Sequence, residues 1–192
     1  MTTKIPFIIY AESTPNPEVM KFVSNKILTS ESKECLTINE AEGWPLLQNI
    51  FQFPFVKEIF IASNYISIKK HLAVEWFDIS NQVRIFIQDQ LNNDVAINLV
   101  ADIQEIKNKE VDKKSAFTLE IEKILETSIR PSIQMDGGDI ELVSCKNGII
   151  KVFLKGACSG CPSSQMTLKN GIEVLLKEKF PKKIKEVIAI NT

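Results

Sequence analysis

The chain has 192 residues, with 23 basic and 24 acidic side chains, one histidine and a formal net charge of −1. This balance excludes the concentrated positive charge of a typical nucleic-acid-binding protein, and no apolar run approaches the roughly 20 residues that span a bilayer. Four cysteines are too few and too unevenly placed for a disulfide scaffold, so we expect a soluble cytoplasmic protein that binds neither nucleic acid nor membrane.

The first segments of the chain predict β-strands. KIPFIIYAES and VMKFVSN are β-prone and flank the proline-rich turn TPNP, and CLTI is a third short run. The opening residues have the lysine and short apolar run of a signal peptide, but Pro6 interrupts the run and no convincing cleavage site follows. We therefore interpret this segment as the first strand.

The rest of the first half predicts two helices and a hairpin. GWPLLQNIFQF has the apolar spacing of a helix, and FVKEIFIAS and YISIKKH alternate around Asn64 as a hairpin does. SNQVRIFIQDQLNN predicts a closing helix capped by Ser80. Residues 101–114 are almost all charged or polar, which predicts a linker between a domain at 1–100 and a second domain at 115–192.

The second half predicts the order helix, strand, strand, helix, strand. Its first helix has an apolar face, is disturbed by Pro131 and ends at DGGD. The turn KNG joins two strands, and a second helix and a last strand, KEVIAI, follow. The apolar face of the first helix comprises Phe117, Ile121, Ile124, Leu125 and Ile129, and that of the second comprises Met166, Leu168, Ile172, Leu175 and Leu176. The whole chain therefore predicts an α+β fold made of two small α/β sandwich domains.

The segment GACSGCPSS places two cysteines where a strand gives way to a helix. Pro162 suits the first turn of that helix, and the helix N-terminus stabilises thiolate, the form that ligates metal, at Cys158 and Cys161. Gly156 and Gly160 remove side-chain bulk, so that a bulky ligand can approach the backbone. The pattern indicates metal ligation by sulfur.

Two cysteines leave three kinds of site open. A zinc site needs two further ligands, but Cys35, Cys145 and His71 have no ligand-like spacing. A dithiol oxidoreductase also places such a pair at a helix start, and two small packed side chains are the least specific interpretation. A [4Fe-4S] cluster is usually held by four cysteines, which two copies of this chain supply across a two-fold axis.

The segments IRPSIQMDGGDIELV, GACSGCPSS and TLKNGIE, in that order and spacing, resemble the C-terminal domain of NifU-like (Nfu) iron–sulfur scaffold and carrier proteins. The resemblance covers about residues 117 to 181. The first half is similar to the N-terminal domain of the same family through TPNP followed by MKF, through PLLQNIFQFPFVKEIFI and through YISIKK and Trp76. It departs from the family in three turns: Ser24–Asn25 replace Pro-Gly, Pro54–Phe55 replace Gly-Val, and Ala62–Ser63–Asn64 replace a glycine-containing turn.

The resemblance implies a non-enzymatic carrier of a labile cluster. It implies that Cys158 and Cys161 ligate a [4Fe-4S] cluster shared by a homodimer, with a [2Fe-2S] form also open. The expected partners are cluster-donating assembly proteins and apo iron–sulfur clients, which the N-terminal domain helps to recognise. Asp136 and Asp139 flank the glycine pair, where turn hydrogen bonds explain them better than acid–base chemistry does.

Overall fold

The computed structural model of the chain describes residues 5–99, 115–159 and 162–190. The chain divides into two compact units, Met1–Lys107 and Asn108–Thr192. Both units combine helices with a sheet, which confirms the α+β fold class. The linker predicted at 101–114 lies outside the described residues. Within the described ranges, no helix is long and apolar enough to cross a membrane.

The first unit is built on a five-stranded sheet in the order β1-β2-β5-β4-β3, with every neighbouring pair antiparallel. Its strands are β1 (Ile9–Ser13), β2 (Val19–Ser24), β3 (Lys33–Cys35), β4 (Val56–Ala62) and β5 (Tyr65–Lys70). The hairpin predicted around Asn64 is present between β4 and β5. Ser63 adopts φ 49° in its turn, and Asn64 donates a side-chain hydrogen bond to the Ser24 carbonyl at 3.0 Å. A non-glycine residue therefore occupies the left-handed position of this turn.

A 3₁₀ turn at Ile38–Ala41 and two helices, α1 (Pro45–Ile50) and α2 (Trp76–Asn92), complete the first unit. The fully buried side chains of the helices, among them Leu46, Leu47 and Ile87, pack with the strand residues Phe22, Ile66 and Ile68 in one core. The prediction of a strand at CLTI is wrong. The strand ends at Cys35, where that side chain is fully buried, and the chain then enters the 3₁₀ turn.

The second helix begins four residues before the predicted cap. Its N-cap position is Glu75, which makes no side-chain capping bond, and Ser80 lies inside the helix. Trp76 explains the earlier start, because its indole nitrogen donates to the Glu18 carbonyl at 3.0 Å and its ring meets Phe22 edge to face at 6.0 Å. Tertiary packing of one aromatic residue thus outweighs the local preference of a serine for the cap position.

The second unit has the predicted order of elements. It contains α3 (Ala116–Ile124), a π-helical turn at Leu125–Ile129, α4 (Arg130–Met135), β6 (Gly138–Lys146), β7 (Ile149–Gly156), α5 (Pro162–Lys179) and β8 (Glu186–Ile190). The sheet order is β6-β7-β8, with β6 antiparallel and β8 parallel to β7. The π-helical turn precedes Pro131, which lacks the N–H that an α-helix needs at that point. The parallel β7–β8 pair requires a crossover connection, which α5 provides.

The core of the second unit lies between its helices and its sheet. Ile121, Leu125, Ile172 and Leu176 are buried there, as their helical spacing predicts. Met166 was predicted to join this core, but its side chain is 67% exposed. It lies six residues before Ile172, about 120° away around the helix, so it cannot share the face of Ile172 and Leu176.

Candidate functional site

The corner between β7 and α5 holds the predicted ligand Cys158. The strand ends at Gly156, and Ala157 and Cys158 are buried immediately after it. The backbone N–H and the hydroxyl of Ser159 both donate to the Gly156 carbonyl, at 3.0 and 2.9 Å, which closes a tight turn. The other predicted site residues, Gly160 and Cys161, lie outside the described residues, and α5 begins directly after them.

Gly156 contributes to this corner through its backbone conformation. It adopts φ 66°, in the left-handed region that a side chain disfavours. The sequence predicts that this glycine provides access for a bulky ligand. That role stays a prediction, and the structure shows a further requirement for the glycine: the chain must turn here to leave the sheet and place Cys158 inside the unit.

Gly138 forms the surface against which Cys158 packs. A Cβ atom at this position would lie 2.7 Å from the Cys158 Sγ, 3.1 Å from its Cβ and 2.8 Å from the Lys155 carbonyl oxygen. Gly138 also faces Gly156 directly across the β6–β7 pair. A side chain at Gly138 would therefore displace either the sulfur or the neighbouring strand.

The sequence alone did not reveal this role of Gly138. The pair Gly137–Gly138 was interpreted only as the end of a helix, and Gly137 does serve that purpose with φ 82°. Its carbonyl also accepts a hydrogen bond from the Ala157 N–H at 3.2 Å. A helix end needs only one glycine, so the second glycine of the pair could have indicated that another group packs closely against it.

An ion pair fixes the start of β6 beside the cysteine. The Arg130 Nε lies 2.9 Å from the Asp139 carboxylate, and its Nη2 donates to the Ile140 carbonyl at 2.7 Å. Arg130 also pairs with Glu126 one turn earlier. Asp139 is nearly buried and accepts a hydrogen bond from the Ile140 N–H at 2.8 Å. Asp139 therefore has the structural role expected from the sequence, and it holds the strand that contacts Cys158.

The remaining described cysteines do not join this corner. Cys145 lies seven residues after Gly138 along β6, which corresponds to about 23 Å of extended strand. Burial raises the pKa of the Cys145 thiol, against the opposing effect of its hydrogen bond with Thr118. Burial likewise raises the pKa of Cys35, in the core of the first unit, from 9.0 to about 11. In both cases the raised pKa favours the thiol over the thiolate, which is the form that ligates metal.

The described residues do not form a complete metal site. Within residues 5–99, 115–159 and 162–190, no group of three or more histidine, cysteine, aspartate or glutamate side chains is placed to hold a metal ion. His71 is exposed at the end of β5. The chemistry available at the corner is therefore that of Cys158, with Cys161 three positions later in the sequence.

Two protein-family models match the chain. The NifU-like domain matches residues 121–188, and the N-terminal domain of the Nfu/NifU scaffold proteins matches residues 9–94. The first match contains β6, β7 and the cysteine corner. The second contains the five-stranded sheet and both helices of the first unit.

Curated proteins match over both units. A protein of Drosophila willistoni named "NFU1 iron-sulfur cluster scaffold homolog, mitochondrial" is 32% identical over 184 residues, which are 93% of this chain and 62% of that protein. A NifU-like protein of Schizosaccharomyces pombe is 33% identical over 179 residues, 90% of this chain and 69% of that protein. The chain thus spans about six-tenths of the length of the Drosophila protein. A solution structure of a NifU-like protein from Saccharomyces cerevisiae is 24% identical, with a TM-score of 0.43 over 51% of this chain and 89% of that one.

The names of these relatives contradict the expected cytoplasmic location. The Drosophila protein and two NifU-like proteins of Arabidopsis thaliana are named as mitochondrial. The expectation was wrong because cysteine usage indicates only a reducing compartment, and that does not single out the cytoplasm.

Proposed function

Because the chain belongs to the NifU-like family of iron–sulfur cluster scaffold proteins, we propose that it carries a labile [4Fe-4S] cluster bound by Cys158 and Cys161. The cluster is cargo: assembly proteins load it, and apo iron–sulfur proteins receive it. The names of the relatives support a mitochondrial location for this work. We assign the chain no catalytic activity of its own.

The observation that carries the proposal is the position of Cys158. It stands at a turn before a helix, three residues before a second cysteine, and the strand start that supports it is held by an ion pair. Cys158 is buried against Gly138 in this structure, so we propose that its side chain turns out of the corner to reach the cluster while the ion pair keeps the strand in place. Hydrogen bonds from nearby backbone N–H groups to cluster sulfides would favour the bound form.

A shared cluster follows from counting ligands. A [4Fe-4S] cluster usually takes four cysteine thiolates, and we propose that one chain contributes two of them. A homodimer then supplies four, and separating the two copies releases the cluster. This geometry suits transfer to a client better than permanent electron transfer.

Anaerobic reconstitution with iron and sulfide tests the proposal. We expect about two irons and two sulfides per chain, broad absorption near 400 nm as an approximate guide, and the mass of a dimer. About one iron per chain would indicate a [2Fe-2S] form. Zinc at half an ion per chain, or a reversible Cys158–Cys161 disulfide with no iron uptake, would replace the proposal by a zinc module or a dithiol oxidoreductase.

Serine substitutions identify the ligands. Cys158→Ser and Cys161→Ser should each abolish stable cluster binding, because a homodimer loses two of four ligands at once. Cys145→Ser is the matched control, since Cys145 belongs to the same unit and lies at the far end of β6 from the corner. Full iron content in the Cys158→Ser protein would contradict the ligand assignment.

A further inference from the structure

The first unit has a pocket that cluster binding does not explain. It has a volume of about 320 Å³ and is lined by Asn49, Gln52, Phe53, Phe86 and Gln90. Its walls come from α1, from the segment that follows α1, and from the C-terminal half of α2. The pocket therefore belongs to the unit that contains neither of the proposed cluster ligands.

The aromatic rings of the pocket are held in place by packing. Phe53 stacks on Phe55 with ring centroids 5.1 Å apart and meets Phe86 edge to face at 4.9 Å. All three rings are partly buried and pack against the core of the first unit.

The other described lining residues are polar but uncharged. They are three carboxamide side chains, and the Asn49 amide group donates to the Gln90 oxygen at 2.6 Å. This bond leaves the Asn49 oxygen as an acceptor and the Gln90 amide group as a donor for a ligand. Among the residues that the structure describes, no charged side chain lines the pocket, in a chain in which 24% of residues are charged.

These features fit a neutral peptide. A peptide group offers one donor and one acceptor, which can pair with the carboxamides of Asn49 and Gln90. An apolar side chain can pack on the rings of Phe53 and Phe86. A volume of about 320 Å³ lies at the lower end of the range for small-molecule sites, so it accommodates one or two side chains. A phosphorylated or strongly acidic ligand would find no cation among the lining residues.

We propose that this pocket binds an uncharged peptide segment of a partner protein, with an aromatic or large aliphatic side chain against Phe53 and Phe86 and its backbone on Asn49 and Gln90. The identity of the partner as a client or donor of clusters rests on the proposed function. The peptide site itself does not, because it needs no iron.

Titration of the iron-free full chain with blocked tripeptides tests the proposal. The probe is acetyl-Gly-Phe-Gly-amide, and acetyl-Gly-Glu-Gly-amide and acetyl-Gly-Lys-Gly-amide are the charged controls. In ¹H–¹⁵N spectra we expect saturable shifts of the side-chain amide signals of Asn49, Gln52 and Gln90 with the phenylalanine peptide alone. Equal shifts with a charged peptide, or no saturable shift at these signals, would overturn the proposal.

Two charge substitutions on α2 test whether the peptide contacts the pocket itself. Gln90→Glu keeps the oxygen that accepts from Asn49, so the fold is preserved, but it removes the donor and adds a charge. We expect it to weaken binding of the phenylalanine peptide at least fivefold. Gln82→Glu adds the same charge to an exposed position of α2 outside the pocket lining and should leave the affinity unchanged. Equal affinities for the two variants would refute the assigned contacts.

Two further readouts separate this proposal from its rivals. If the pocket signals shift on dilution without peptide, a second copy fills the pocket and the proposal of a partner peptide is wrong. Gln90→Glu should take up iron as the unsubstituted chain does. If the unsubstituted chain took up no iron, the proposed function as a cluster carrier would be wrong, but the result of the peptide titration would still stand.

Discussion

Gly138 and Gly171 both lie in the second unit, but an added methyl group would meet very different surroundings at the two positions. At Gly138 it would come within 2.7 Å of the Cys158 sulfur and 2.8 Å of a backbone oxygen. At Gly171, inside α5, it would meet no described atom within 4 Å apart from its chain neighbours and the backbone of its own helix. The two glycines therefore test whether close packing at the cysteine matters to the protein.

We predict opposite effects on stability for the same chemical change. Gly138→Ala should lower the free energy of unfolding by about 1–3 kcal/mol, as overpacking does, and should shorten the lifetime of a reconstituted cluster. Gly171→Ala should raise the free energy of unfolding by roughly 0.5–1 kcal/mol through helix propensity and leave the cluster lifetime unchanged. Urea unfolding and the decay of cluster absorption measure both. An unchanged cluster in a fully stable Gly138→Ala protein would contradict the role assigned to this contact.

The sequence predicted part of the site at this scale. Cys158 could be found because two cysteines, a glycine turn and a proline are neighbours in the chain. The contact with Gly138 could not be found in that way, since twenty positions separate the two residues and the local role of a helix end already accounted for the glycine pair. The ion pair of Arg130 with Asp139 was hidden for the same reason: it depends on how α4 meets β6.

Among the elements, the start of α2 shows most directly how packing sets a boundary. Trp76 and Phe77 are neighbouring aromatic residues in its first turn. Trp76 is 6% exposed and hydrogen-bonded to the Glu18 carbonyl, whereas Phe77 is 95% exposed. The helix begins where the buried ring requires it to begin.

Alanine substitution of these two neighbours should show that burial of the ring, and not the mere presence of an aromatic residue, stabilises the start of α2. Trp76→Ala should cost about 3–5 kcal/mol of unfolding free energy, as expected for a large buried side chain. Phe77→Ala, the matched control, should change it by no more than about 0.5 kcal/mol, as is usual at exposed positions. Urea unfolding of both variants measures this. A loss of equal size at the two positions would show that the burial of Trp76 does not anchor the helix.

Local signals predicted the elements better than their ends. The prediction of the KNG turn is confirmed. Asn and Gly tolerate positive φ, which a two-residue hairpin turn requires, and Asn147 and Gly148 adopt φ 53° and 80°. The third strand was misplaced because β-propensity cannot show that the chain turns after Cys35. The prediction that Met166 is buried was wrong because it counted apolar residues along the helix without checking their angles around the helix axis.

For the whole molecule, the central feature is that each unit buries its own apolar core. The cores are separate sets of residues, one around Phe22, Leu46 and Ile66 and the other around Ile121, Ile150 and Leu176. Each described unit also has its own sheet. Each unit therefore meets the requirement for folding as a domain.

We predict two cooperative transitions in calorimetric unfolding of the iron-free chain. Each should have an enthalpy of roughly 60–75 kcal/mol, the range typical of units of this size, Met1–Lys107 and Asn108–Thr192. Ile121→Ala, in the core of the second unit, should cost about 2–5 kcal/mol and lower the midpoint of one transition by about 10 °C or more. The other transition should not move. One common transition that shifts as a whole would show that the two cores unfold together.

The burial of Cys158 also limits how this protein can diverge. A descendant that abandoned iron–sulfur chemistry would lose the selection for a thiol at position 158, but the corner of β7 would still point a side chain at Gly138. A side chain that occupies the place of the Cys158 sulfur leaves no room for a Cβ atom at position 138. Such a lineage should therefore keep the glycine at position 138 after the thiol that we propose as a ligand has been lost.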